Sequence, residues 1–89
     1  MAQAIGDPEE LERFAQALNS FLDSLKESVN SLNYSFSSLG DTWRDEKRTQ
    51  FEAEYEALIQ QLSAFEANAV DQIPYLMTLA SRLRDYLQS

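Results

Sequence analysis

Eighty-nine residues, 44% of them hydrophobic and 25% charged, make at most one domain and an ordinary globular or bundle-forming composition, which argues against a disordered chain. Seven Lys and Arg against fifteen Asp and Glu leave a formal net charge of -8, which repels nucleic-acid backbones and anionic membrane surfaces. With no cysteine and no histidine, the chain lacks disulfides, thiolate zinc sites, HExxH helices, Glu-x-x-His di-iron ligands and the common nucleophile–base pairs, so no catalytic residue, cofactor or metal is expected.

Met1-Ala2-Gln3-Ala4-Ile5-Gly6-Asp7-Pro8 has neither the basic n-region nor the long apolar h-region of a signal peptide. No later stretch approaches the roughly 18 apolar residues of a membrane helix. The expected location is cytoplasmic, or outside the cell by a route that needs no cleaved signal. Asp7-Pro8-Glu9-Glu10 then predicts a helix start: Asp7 can cap, Pro8 suits the first turn, and the acids face the positive helix end. Helix one is expected over about residues 8–39.

Along it, Leu11, Phe14, Leu18, Phe21, Leu25, Val29, Leu32, Phe36 and Leu39 recur at steps of three and four. One four-four step around Leu25 makes this a heptad stripe with a stutter. Beside it runs a row of Ser20, Ser24, Ser28, Ser31, Ser35 and Ser38, readable as a solvated flank or as a seam that lets two helix backbones approach closely.

The tip is placed at residues 40–44. Gly40 is expected to be a left-handed stop for helix one, with Asp41 or Thr42 capping the return helix and Asp45 three residues beyond Thr42. Arg44, Lys47 and Arg48 gather three of the seven basic residues here. They suit either pairing with Asp41, Asp45, Glu46 and Glu52 or a small recognition tip. Trp43, the only tryptophan, is either a plug closing the hairpin or also part of a partner groove.

Helix two is expected over about residues 45–87, with the stripe Phe51, Tyr55, Leu58, Leu62, Phe65, Ala69, Ile73, Leu76, Ala80, Leu83 and Leu87. Ala53, Ala57, Ala64 and Ala67 lie off it as helix filler or a second packing face. Pro74 predicts a kink or break. If both helices leave the tip together, Pro74 lies level with Glu10, and the rest of helix two projects past helix one with Leu76, Leu79, Leu83, Tyr86 and Leu87 in need of cover. Glu52 and Glu56 share a helix face, which reads as solvated surface before it reads as a metal site.

These elements predict an all-α, two-helix antiparallel hairpin forming a single domain. Its two apolar stripes are too small a core for a hairpin alone, which points to a homodimer, or a heterodimer with a similar small helical chain, packed as a four-helix bundle. The core and dimer residues so identified are Leu18, Phe21, Leu25, Val29, Leu32, Phe36, Leu58, Leu62, Phe65, Leu76 and Leu83.

The central Trp43, the two-helix layout, the chain length and the aromatic Phe51 eight residues after Trp43 resemble the Trp-X-Gly (WXG) family, the early-secreted-antigen-like helical hairpins of type VII secretion. The motif stands here as Trp43-Arg44-Asp45, with Asp45 in place of the glycine and Gly40 left to supply the turn. The resemblance implies a non-enzymatic interaction protein: a dimeric secretion substrate, co-exported partner or chaperone-like adaptor, with a secretion ATPase or a toxin among its partners. It also marks Gly40, Trp43, Arg44, Asp45, Lys47, Arg48 and Phe51 as tip and partner contacts. Exported members carry Tyr-x-x-x-Asp/Glu near the C-terminus of the hairpin; here Leu79 follows Tyr75, Ile59 follows Tyr55, Ser38 follows Tyr34, and Tyr86 lies too near the end. Export by way of a partner that bears the pattern is the corresponding expectation, and the alternative is a cytosolic helical adaptor or assembly component unrelated to export.

Overall fold

The computed structural model describes residues 6–88, so the reading of residues 1–5 as no signal peptide lies outside it. Two α-helices, α1 (Pro8–Leu39) and α2 (Glu46–Gln88), run antiparallel as a hairpin 66 × 18 × 17 Å, and no strand occurs among the described residues. The 43 residues of α2 at 1.5 Å each span about 64 Å. Helix two therefore sets the long axis. A radius of gyration of 20.0 Å compares with about 12 Å for a compact globule of this chain length. Little of the chain is far from water.

The start of α1 follows the sequence. Asp7 is extended, Pro8 takes the first helical position, and Asp7 Oδ1 accepts the Glu9 N–H at 2.9 Å while the Asp7 carbonyl accepts those of Glu10 and Leu11.

The turn differs from expectation. Gly40 has φ -60 and ψ -21, right-handed and not left-handed, so it continues the α1 screw instead of ending it. The N–H groups of Gly40, Asp41 and Thr42 donate to Ser37, Ser38 and Leu39, and Trp43 N–H donates to Leu39 at 2.7 Å. What demands glycine is a close approach: a Cβ on Gly40 would sit 3.1 Å from Arg48 Nη2 and 3.2 Å from the Ser37 carbonyl. Arg44 Nε donates to the Gly40 carbonyl at 3.0 Å, so two guanidinium groups cover the negative end of α1.

The cap of α2 is Asp45, not Asp41 or Thr42, because the chain is still turning with α1 at those two residues. Asp45 Oδ1 accepts the Arg48 N–H at 3.1 Å, and its carbonyl accepts the same group at 3.2 Å. Glycine is also tolerated at this position. Asp45→Gly is therefore expected to change stability by only a few tenths of a kcal/mol, whereas Asp45→Ala costs about 0.5–2 kcal/mol, read as the difference in urea midpoint between the two variants.

Because α1 runs on into the turn, α2 starts later against it than a sharp stop at Gly40 would give. The projecting tail expected beyond Pro74 is accordingly absent. Ala80 is 0% exposed, Leu76, Leu79 and Leu83 are half-buried, and of the five residues expected to need cover only Tyr86 and Leu87 stay exposed. Extended backbone at residues 6 and 7 covers more length per residue than helix does. It carries Gly6, at φ 120, to Leu83, whose Cδ2 would lie 3.4 Å from a Cβ on that glycine. Helix α2 continues through Pro74.

A two-pronged ion pair fastens this open end. Arg84 Nη1 and Nη2 donate to Glu12 Oε2 and Oε1 at 2.8 and 3.1 Å. These hydrogen bonds, and then the Arg84 charge, hold the Glu12 carboxyl below its ordinary value, while burial opposes them. Arg84 is raised first by the hydrogen bond and charge of Glu12, with smaller help from Glu9 and Asp7. A carboxylate depressed in the folded state adds stability that is present above its unfolded value, near 4.5, and lost as pH falls through the folded value. The melting temperature of wild type is thus expected to exceed that of Glu12→Gln at neutral pH, with the gap closing in acid below 4.5.

Candidate partner interface

The helix–helix seam uses small residues where the backbones come closest. Ala15, Leu22, Tyr55, Ala69 and Ala80 are its buried members, with Leu11, Leu18, Leu25, Val29, Phe36, Leu62, Ile73, Leu76 and Leu83 half-buried beside them. Ala15 and Ala80 lie one turn inward from Glu12 and Arg84, at the open end of the hairpin. At the tip end aromatics hold the helices apart. Tyr55 stacks on Phe36 with centroids 4.4 Å apart and donates its O–H to Asn33 Oδ1.

The apolar stripe read from the sequence divides into this seam and a second, open row. Phe14 (60% exposed), Phe21 (52%), Leu32 (51%) and Leu39 belong to the open row, and so do Phe51, Leu58 (54%) and Phe65 on α2. In the tip half these residues line a groove of about 780 Å³ with Ser35, Phe36, Tyr55, Ile59, Gln61 and Leu62. Nearer the open end, Phe14, Leu18, Phe65, Asn68, Ala69, Gln72, Tyr75 and Leu76 line a hollow of about 350 Å³. Phe65 lies in both, braced edge-to-face by Phe21 with centroids 6.2 Å apart, so the two form one strip along the hairpin. None of the lining residues is charged, on a chain of net charge -8.

The opposite side is polar. Lys26, Asn30, Ser63 and Glu66 share a hollow there with Leu25, Val29, Ile59 and Leu62, and Lys26 Nζ lies 4.0 Å from Glu66 Oε2. Asn33, Glu56 and Gln60 line a neighbouring one with Tyr55 and Ile59. The serine row and Ala53, Ala57, Ala64 and Ala67 are exposed, outside the seam, although Ser35 borders the open groove.

At the tip, half-buried Trp43 packs on Phe51 with centroids 6.0 Å apart. The basic group splits up. Arg44 braces the turn, Arg48 lies 5.5 Å over the Phe36 ring with its Nε shielded from water and unpartnered, and Lys47 is exposed. Among the described residues, no ion pair ties these three to Asp41, Asp45, Glu46 or Glu52. The structure thus gathers Gly40, Trp43, Arg44, Arg48 and Phe51 at one end of the strip and leaves Lys47 in solvent.

Several residues of this arrangement carry no strong sequence signal. Ala15 and Leu22 fall off the three-four stripe, Ile59 sits beside it, and Glu12 and Arg84 are 72 positions apart. An inward run of Leu11, Ala15, Leu18, Leu22, Leu25 and Val29, equally periodic but weaker in bulk, is the signal that could have separated seam from open row.

No helix among the described residues is long and apolar enough to cross a membrane, and none of their acidic groups forms a cluster able to hold a metal ion. No curated protein and no solved structure matches the chain. The family model described as proteins of 100 residues with WXG matches residues 5–86, through both helices and the turn that presents Trp43. On that match the chain belongs to the WXG100 family.

Proposed function

We propose that this WXG100 protein is a non-enzymatic interaction module whose working form is an antiparallel dimer, serving as secretion substrate, co-exported partner or chaperone-like adaptor of a type VII-like system. The observation that carries the reading is the uncharged apolar strip. A hairpin that buries so little on its own gains by covering that strip with a second one, giving a four-helix bundle. The unevenness of the strip favours the antiparallel orientation. Phe14 and Tyr75 protrude toward the open end, the larger groove lies toward the tip, and a two-fold axis near Gln61 and Phe65 sets each against the other.

The chain has no cysteine, so introduced ones report orientation cleanly. Oxidation of Gln61→Cys, close to the axis, should yield a cross-linked dimer. Ser35→Cys alone should not, and mixing it with Asn68→Cys should. Cross-linking of Ser35→Cys to itself would favour a parallel pair. A monomeric mass by light scattering at micromolar concentration, with full helicity and a sharp melt, would remove the dimer.

The alternative, a cytosolic helical adaptor unrelated to export, draws support from the missing Tyr-x-x-x-Asp/Glu pattern. Testing culture medium and cytosol of the native cell for the chain separates the two. Appearance outside intact cells supports export, alone or with a signal-bearing partner, and retention alongside exported marker proteins supports the adaptor.

A further inference from the structure

The open end of the hairpin combines a fastening with a weak point in the helix that it fastens. The fastening consists of the Glu12–Arg84 pair, the approach of Gly6 to Leu83, and the burial of Ala80 on α2 and Ala15 on α1. The weak point is Pro74, which has no N–H to offer the Val70 carbonyl and crowds it with its ring. Pro74 is exposed on the side of α2 away from Ala69, Ile73, Leu76 and Ala80, so a bend away from its ring turns the following residues toward α1. Nothing comparable occurs nearer the tip, where the stacked Phe36, Tyr55 and Phe51 rings join the helices.

We infer that residues 75–88 form a hinged arm, pivoting at Pro74 and held closed by the Glu12–Arg84 clasp, that opens as a unit while the tip half of the hairpin stays folded. Closed, the arm keeps Leu76, Ala80 and Leu83 against α1; open, it bares them to a partner. The clasp is accessible enough for salt to weaken it, with side-chain exposures of 39% for Arg84 and 30% for Glu12. The other acids near Arg84, Asp7 and Glu9, belong to the α1 start and let go together with Glu12 when the arm moves.

Hydrogen–deuterium exchange on the whole protein tests the arm, with residues 50–70 as internal reference. In wild type, residues 75–88 are expected to exchange together and faster than the reference, the behaviour of a local opening unit, and Glu12→Gln is expected to raise their exchange about tenfold. Adding Pro74→Ala to Glu12→Gln should reverse most of that rise. Wild-type exchange that is no faster in residues 75–88 than in the reference, or no rise in residues 75–88 of Glu12→Gln, overturns the arm. A rise that Pro74→Ala does not reduce overturns the hinge. Since the signal is local exchange within the chain, it is distinguishable from failure of the dimer, which mass and cross-linking report.

Discussion

Leu58→Glu is expected to keep the chain monomeric where the proposed dimer of the wild type forms. Leu58 is 54% exposed in the single hairpin and lines the wide groove, so in one chain a glutamate there can keep its carboxylate in water. Covered by a second hairpin, that carboxylate is buried with no cation among the residues lining the groove. A buried, unpaired charge costs roughly 3–5 kcal/mol, and a two-fold interface contains it twice. The dissociation constant should rise at least about a hundredfold, measured by sedimentation equilibrium. Tyr34→Glu provides the control. Tyr34 is the most exposed large apolar residue among those described, at 77%, and lines none of the four hollows above, so its replacement should leave the mass unchanged.

How much of this was legible beforehand depends on the range of the forces involved. The α1 start could be read because a cap is a contact between neighbours: Asp7, Pro8 and Glu9 carry it within three positions. Gly40 misleads because its backbone is right-handed and the use of its missing side chain is spatial: a Cβ there would crowd the Arg48 guanidinium, eight residues on. The apolar stripe is legible as hydrophobic content and ambiguous as direction, since steps of three and four let a row drift around a helix, and only the partner helix decides that Leu22 is inside and Phe21 outside. Bulk misleads in the same way. Ala15 and Ala80 are the most buried residues because they are small, while the phenylalanines that dominate the pattern stand at the open face.

That division also relocates the structural centre of the hairpin from the family tryptophan to Tyr55. Trp43 is half-buried and touches one ring, Phe51, so its loss trims one end. Tyr55 is buried, stacks on Phe36 and Phe51, and supplies a hydrogen bond to Asn33 across the helices. Truncating a well-buried aromatic costs about 3–5 kcal/mol, which with five buried residues among those described is a large part of what holds the helices together. Tyr55→Ala should therefore lose most of its helical circular dichroism at concentrations where Trp43→Ala still melts cooperatively at a lowered temperature. Tyr55→Phe separates the ring from its hydroxyl: it keeps the stack, leaves a half-satisfied Asn33 that solvent can reach, and should cost about 1 kcal/mol. If Trp43→Ala proved the more damaging of the two truncations, the tryptophan would be holding contacts beyond Phe51, and a partner seated at the tip would be the place to seek them.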